Sequence, residues 1–276
     1  MHLVCGTRTL DLSRPVVMGI LNVTPDSFSD GGRFFDPGVA LEHALRMREE
    51  GAAIIDVGGE STRPGSEPVP AEEEIRRVVP VIRRLAAETD AIISVDTSKP
   101  EVMRAAADAG AHMINDVYGL RLPGALEAAA ATDCAVCLMH MQGEPRTMQV
   151  NPTYEEVVTE VKAFLLERVQ ACRDAGIDER RIVIDPGFGF GKTVEHNLEL
   201  LRRLDELTAT GWPVLAGLSR KSMLGRILGR PVEERLAGSL ALAMIAVERG
   251  ARIMRVHDVA ATVDVLKVLS AVREGG

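Results

Sequence analysis

Residues 18–32 read MGILNVTPDSFSDGG. The apolar run from Val16 to Leu21 stops abruptly at Asn22, and Thr24, Pro25, Asp26, Ser27, Ser29 and Asp30 follow before two glycines close the stretch. An apolar run this short, bounded by turn residues, reads as a buried strand that delivers a polar loop. The design recurs along the chain: an apolar run ends on a carboxylate, an amide or a base. Repeated ends of this kind point to one site built where strands stop.

Working outward from that stretch, Leu41, Ala44 and Leu45 fall on one helical face that Gly51 ends. Ile54 to Val57 reads as a strand ending at Gly58-Gly59-Glu60, and Ile75, Val78, Val79, Ile82 and Leu85 form a 3.6-period stripe. Ile92 to Val95 ends at Asp96, and Lys99-Pro100 opens a helix. Met113-Ile114 ends at Asn115-Asp116, before a helix over Gly124 to Ala131. Ala135 to Met139 ends at His140, and a long helix carries Val157 to Cys172. Ile182 to Ile184 ends at Asp185, and Leu200, Leu201, Leu204 and Leu207 mark one further helix. Val214 to Leu218 ends at Ser219-Arg220-Lys221, with helical pattern over 221–249 interrupted near Gly229-Arg230-Pro231. Ile253 to Val256 ends at His257-Asp258, before a helix with Val263, Leu266 and Leu269.

Strands joined by helices are parallel, with right-handed crossovers. Eight such units predict an α/β fold, a (β/α)8 TIM barrel formed by residues 1–276 as one domain. An open doubly wound sheet is the alternative. Residues 1–15 are expected to cap the barrel with a short N-terminal β-hairpin that turns near Gly6-Thr7.

With 46% hydrophobic and 26% charged residues the chain is an ordinary globular one. Its net charge of −8 argues against a nucleic-acid partner, which needs a basic face, but leaves room for local arginines around a small anion. Met1 to Pro15 lacks the apolar core of a signal peptide. Leu236 to Val247 is apolar but too short for a bilayer and reads as a buried helix. A cytoplasmic protein with no membrane partner is the expectation. Cys134 and Cys137 have the spacing of a redox or metal motif. In a strand, positions three apart face opposite ways, so they read as small core residues.

The strand ends sort into two chemistries. Asp96, Asn115 and Asp185 offer acceptors plus one amide donor, which suits a flat heterocycle with an amino-pyrimidinone edge. Arg63, Lys221, Arg255 and His257 suit a phosphate or diphosphate. Ser219-Arg220-Lys221-Ser222 and Arg255-Val256-His257 occupy the loops where barrels usually hold phosphate, and His257 precedes a helix start. Asp185-Pro-Gly-Phe-Gly-Phe-Gly-Lys-Thr193 imitates a phosphate loop, but Pro186 stands where that loop needs its first glycine. Its glycines are expected to let the backbone approach a flat ligand, with Phe188 or Phe190 packed on it.

The stretches NVTPDSFSDGG at 22–32, IDVGGESTRPG at 55–65, ISVDTSKP at 93–100, INDV at 114–117, DPGFGFGK at 185–192, GLSRKS at 217–222 and RVHDV at 255–259 resemble the dihydropteroate synthases, in unbroken order from about residue 3 to 272. The resemblance implies a barrel that is usually a homodimer. Its reaction joins 6-hydroxymethyl-7,8-dihydropterin diphosphate to 4-aminobenzoate, giving 7,8-dihydropteroate and diphosphate in folate synthesis, with Mg²⁺ assisting. It implies Asp96, Asn115, Asp185, Lys221 and Arg255 around the pterin, with Met139 and Val117 as apolar walls. Asn22, Arg63, Arg255 and His257 would take the diphosphate, and Asn22 the Mg²⁺. Phe28, Thr62, Arg63, Pro64, Phe190, Ser219 and Ser222 would form the aminobenzoate side, where sulfonamides act. Asp96, Lys221, Arg63 and Arg255 would carry the catalysis, a dissociative displacement. The alternatives are a pterin-binding methyltransferase and a non-catalytic pterin-binding paralogue.

Overall fold

In the computed structural model, residues 1–24, 37–61, 68–144 and 147–274 are described. An antiparallel hairpin, β1 (His2–Cys5) and β2 (Arg8–Asp11), opens the chain. Eight parallel strands follow: β3 (Val16–Asn22), β4 (Ile54–Gly58), β5 (Ile92–Asp96), β6 (Met113–Asp116), β7 (Ala135–Met139), β8 (Ile182–Asp185), β9 (Leu215–Ala216) and β10 (Ile253–Val256). They pair in the order β8-β7-β6-β5-β4-β3-β10-β9, and a parallel bridge from Ile184 to Val214 closes the ring.

Two faces of each strand are buried, for different reasons. Val17, Leu21, Ile55, Val57, Ile93, Val95, Val136 and Leu138 join one core with the surrounding helices. The alternate residues Met18, Ile54, Ile92, Met113, Cys137, Val183, Leu215 and Ile253 pack inside the ring with Leu3, Cys5 and Leu12. The hairpin therefore plugs the mouth where the strands begin. It is tied there by Gly6 N–H to the Asp133 carbonyl at 2.9 Å and by Arg8 to the Ala91 carbonyl at 2.6 Å.

The helices are α1 (Pro37–Glu49), α2 (Ala71–Glu88), α3 (Pro100–Asp108), α4 (Ala125–Ala130), α5 (Val157–Asp174), α6 (Val194–Arg202), α7 (Asp205–Thr208), α8 (Ser222–Leu228), α9 (Leu236–Glu248) and α10 (Val259–Glu274). None among the described residues is long and apolar enough to cross a membrane. Three sequence expectations are corrected. The Leu200 to Leu207 helix divides into α6 and α7. The helix expected to be buried over Leu236 to Val247 is α9, and it leaves Leu236, Met244 and Ile245 exposed, while the break before it falls near Gly229 as expected, with φ +66°. The strand expected over Val214 to Leu218 is ladder only at Leu215–Ala216: Val214 lies at the closing bridge and accepts the Arg252 and Ile253 N–H groups, and the chain beyond Ala216 bends towards Arg220, with φ +56°.

Candidate active site

Period two along the strands decides what enters the ring. On β4 the inward positions are Ile54, Asp56 and Gly58; on β5 they are Ile92, Ser94 and Asp96. Each first residue lies in the inner apolar cluster. Parallel register then sets Asn22 opposite Gly58, Gly58 opposite Asp96, and Asp96 opposite Asn115. On the far side Met139 lies opposite Asp185. The C-terminal mouth thus gathers residues that are up to 163 positions apart in sequence, from Asn22 to Asp185, before Lys221 and Arg255 join them.

A charged network floors this mouth. Arg255 Nε donates to Asp56 Oδ2 at 2.7 Å, and its Nη2 donates to Asp96 Oδ2 at 2.7 Å. Asn115 Nδ2 donates to the same Asp56 oxygen at 3.0 Å. That bond spends one of the two Asn115 amide protons on Asp56. The second amide proton and the amide oxygen stay available beside the Asp96 and Asp185 acceptors. Burial pushes the Asp96 carboxyl above the usual range against the pull of Arg255. Burial also raises Asp185, opposed by the Gly187 N–H at 2.7 Å and by Lys221 and Lys192. Burial works against the Arg255 charge, but Asp56 and Asp96 outweigh it and its pKa rises.

Lys221 crosses towards this floor. Its Nζ stands 4.2 Å from the centre of the Phe190 ring, a cation–π contact. Burial, then Arg255, lowers its pKa. Gly189 makes room for it: a Cβ there would lie 3.1 Å from Lys221 Cδ. Val117, Met139, Met141 and Met148 form an apolar cluster on which Phe190 packs. Ser219 Oγ lies 3.0 Å from His257 Nδ1 and accepts the His257 backbone N–H at 3.2 Å. Burial, then Arg220 and Arg255, lowers His257 to about 4, so its free ring is neutral at pH 7. Ser222 is exposed at the first turn of α8.

The structure moves three expectations. Phe188 is 1% exposed and belongs to the outer core, so Phe190 alone of the two faces the mouth. The glycines around it serve packing as well as access: Cβ atoms at Gly187 and Gly191 would lie 1.9 Å from the His140 carbonyl oxygen and 2.4 Å from that of Gln142. His140, read as a strand-end site residue, is turned away, edge-on to Phe164 at 5.0 Å. Phe28, Thr62, Arg63 and Pro64 lie outside the described residues. Their neighbour Glu60 accepts from Lys99 at 2.6 Å and from the Val69 N–H at 2.8 Å, and Lys99 also holds the fully buried Glu74 at 2.5 Å.

The family described as Pterin binding enzyme matches residues 18–257. A dihydropteroate synthase of Haemophilus influenzae is 55% identical over 98% of this chain and 98% of its own. The chain belongs to the dihydropteroate synthase family. In structure it is similar to the Xanthomonas albilineans dihydropteroate synthase with 4-aminobenzoic acid, at TM-score 0.94 and 56% identity over 100% of this chain and 99% of that one. It is also similar to that enzyme in complex with 7,8-dihydropteroate, at TM-score 0.91 and 54% identity over 100% of both chains. Relatives so near in sequence that are all synthases leave the methyltransferase alternative without support.

Asp56 carries no strand-end signal in the sequence, yet it sits at the centre of this floor. Asp56 is 0% exposed, holds both Arg255 and Asn115, and leaves its Oδ1 without a hydrogen-bond partner. Its signal was a carboxylate in the middle of the apolar run IIDVG. For a divalent cation, the described residues hold no cluster of three or more His, Cys, Asp or Glu. They do offer oxygens on adjacent strands around a gap that only glycine leaves. A Cβ at Gly58 would sit 3.7 Å from Asn22 Oδ1 and 3.9 Å from Asp96 Oδ2. A sparse set of hard oxygen donors suits Mg²⁺, which takes most of its ligands from water and phosphate.

Proposed function

We propose that this chain, as one domain over 1–276, condenses 6-hydroxymethyl-7,8-dihydropterin diphosphate with 4-aminobenzoate to 7,8-dihydropteroate, releasing diphosphate. The observation that carries the reading is the set of acceptors at Asp96, Asn115 and Asp185, in the same mouth as the cations Lys221 and Arg255. The 4-aminobenzoic acid and 7,8-dihydropteroate complexes of the Xanthomonas enzyme support it.

In this reading Asp185 accepts from the pterin ring N–H and the exocyclic amine. Asn115 Oδ1 and Asp96 take the remaining donors, and Lys221 donates to the ring carbonyl. Met139, Val117 and Phe190 bound the ring. Arg255 stacks on it and, with Asn22, Arg63 and His257, holds the diphosphate. Phe28, Thr62, Arg63, Pro64, Phe190, Ser219 and Ser222 hold the aminobenzoate. As the C–O bond to diphosphate breaks, positive charge develops on the pterin methylene and spreads into the ring. The Asp96 carboxylate stabilises it, and the arylamine nitrogen, held in line, forms the new C–N bond and then loses its proton. Mg²⁺ at Asn22 would neutralise charge on the leaving diphosphate.

Two further parts of the reading rest on other observations. Cys5, Cys134, Cys137 and Cys172 are all buried free thiols, which suits a reducing cytoplasm. Leu236, Met244 and Ile245 on α9 and Val268 and Val272 on α10 are exposed on packed neighbouring helices, an apolar face suited to a second copy of this chain. The test of the activity is diphosphate release from the pterin substrate. Release is expected only when 4-aminobenzoate and Mg²⁺ are added, and Asp96→Asn should slow it by about 100-fold or more. No release with all components present would overturn the reading.

A further inference from the structure

Lys192 is 3% exposed and lies behind the mouth, not in it. Its Nζ reaches the Gly187 carbonyl at 2.9 Å, the Phe190 carbonyl at 3.0 Å and His140 Nδ1 at 2.9 Å, with the His140 carbonyl at 3.4 Å. An ammonium has three protons, and three acceptors stand within 3.0 Å. Among the described residues no carboxylate forms an ion pair with it. A charge buried on neutral acceptors alone, two loop carbonyls and an imidazole, is costly. Burial, then Lys192 and Arg121, lowers His140 to about 2, which leaves its ring neutral and Nδ1 free to accept.

The bonded groups belong to two elements. Gly187 and Phe190 lie in the loop that follows Asp185, and His140 directly follows Met139 at the end of β7. The two are already in van der Waals contact, because Gly187 lacks the Cβ that would strike the His140 carbonyl. Burial lowers Lys192 to about 7 against the pull of Asp185, so it is an ammonium on the acid side of neutrality, where it in turn favours the Asp185 carboxylate.

We propose that Lys192 is a positioning residue for the pterin side of the site: its buried ammonium fastens the Asp185–Phe190 loop to the end of β7 and supplies part of the positive field in which the Asp185 carboxylate meets the ring. This rests on the synthase reading given above. Lys192 does not touch substrate. The charged and titratable groups that face the pair are His140 after β7, Cys137 on β7, Lys221 after β9 and Arg255 on β10. Of these, Lys221 and Arg255 also favour the Asp185 carboxylate, so removing Lys192 weakens that field without abolishing it.

The experiment is calorimetric titration with 6-hydroxymethylpterin between pH 5 and 8. In the wild type, affinity falls on the acid side as Asp185 takes up a proton. Lys192→Gln keeps N–H donors and loses the charge. Its acid limb should move up by about one pH unit, with affinity about tenfold weaker at pH 6 and recovering towards pH 8. Lys192→Met loses the donors as well and should bind more weakly at every pH. A purely structural role would move the unfolding midpoint of both variants but leave the acid limb in place, and that result would overturn the proposal. If neither variant folds, ¹⁵N-lysine NMR of the wild type decides. A Lys192 ammonium protected from solvent exchange at pH 6 supports the proposal, and a neutral amine there overturns it. A wild type that does not bind the pterin at any pH would instead strike the synthase reading itself.

Discussion

Arg220 is held in a left-handed backbone by Asp258: φ is +56°, and the guanidinium meets the carboxylate twice, Nε to Oδ2 at 3.0 Å and Nη2 to Oδ1 at 2.5 Å. Ser239 Oγ accepts the Arg220 N–H at 2.9 Å, and Arg235 donates to the Arg220 carbonyl at 3.2 Å. A non-glycine residue in that region is held at a cost of about 1–2 kcal/mol. What the turn achieves is visible on either side of it. Ser219 reaches His257, while Lys221 is sent across to Phe190. Two adjacent side chains serve two parts of the mouth because the residue between them is left-handed.

That assigns the Arg220 side chain the task of holding a backbone conformation. Arg220→Gly adopts positive φ freely, whereas Arg220→Ala keeps the strain and loses the pair with Asp258. Arg220→Ala should lower kcat/KM by about tenfold, a loss of about 1.4 kcal/mol. Arg220→Gly should stay within a few-fold of wild type, and Asp258→Asn should resemble Arg220→Ala. Steady-state kinetics of the three variants checks this. A glycine variant as poor as the alanine one would mean that the guanidinium itself serves the reaction.

Asp56 and Asp185 are both buried carboxylates in the mouth, and they should fail differently. Asp56→Asn can keep one oxygen for Arg255 and Asn115, but it removes the charge paired with Arg255 and buries an NH2 group where Oδ1 has no partner. Removing one partner of a buried pair costs about 3 kcal/mol or more, so the urea midpoint and pterin affinity should both fall. Asp185→Asn places a donor against the pterin N–H. It should cost roughly 2–4 kcal/mol of pterin binding with little loss of stability, since no side-chain cation is hydrogen-bonded to it. Unfolding curves set beside pterin titrations separate the two. Equal loss of stability in both variants would remove the distinction.

Cys134 and Cys137 face opposite sides of β7. Cys137 lies in the cluster inside the ring, and Cys134 donates to the Ala111 carbonyl at 3.2 Å in the outer core. Burial raises both thiols, so neither is a ready thiolate at neutral pH. Cys137→Ala should keep activity and lose on the order of 1 kcal/mol of stability. Loss of turnover in a folded variant, or zinc found by elemental analysis, would contradict a packing role.

How much of this was legible follows from which face of a strand carries the signal. Strands of a parallel barrel are buried on both faces, so they read as unbroken apolar runs. Their ends were easily found, and Asp96, Asn115, Asp185 and Arg255 with them. Asp56 was hidden because it interrupts such a run from within, where period two alone shows that it points inward. Lys192 carries no such signal, because the loop's glycines imitate a phosphate cradle, whereas Gly187 and Gly191 pack against His140 and Gln142. Phe188 and Phe190 are equivalent in sequence; only the turn between them sends one to the core and the other to the mouth. The division of residues among pterin, diphosphate and aminobenzoate came from the family resemblance, since residue type and spacing went no further than acceptors and cations.

The same buried groups make the fold's stability depend on pH in two opposing ways. Burial, before any neighbouring charge, lowers His140 to about 2 and His112 and His257 to about 4. The unfolded chain holds these histidines near 6.5, so between those values it binds more protons than the folded chain. Their contribution is present above about pH 6.5 and is lost as pH falls through the window. Asp96 and Asp185 act the other way. Burial raises both, so the folded chain keeps protons that the unfolded chain releases above about pH 3.9. Their contribution is present at low pH and is lost as pH rises through the folded pKa values. Between about pH 4 and 6.5 the carboxyls therefore offset part of the acid sensitivity of the histidines. Asp185→Asn removes one offsetting group and leaves the histidines in place. The fall in urea midpoint from pH 7 to pH 5 should then be larger in the variant than in the wild type. An equal or smaller fall would mean that the Asp185 carboxyl is not raised in the folded chain, the cations around it having offset its burial.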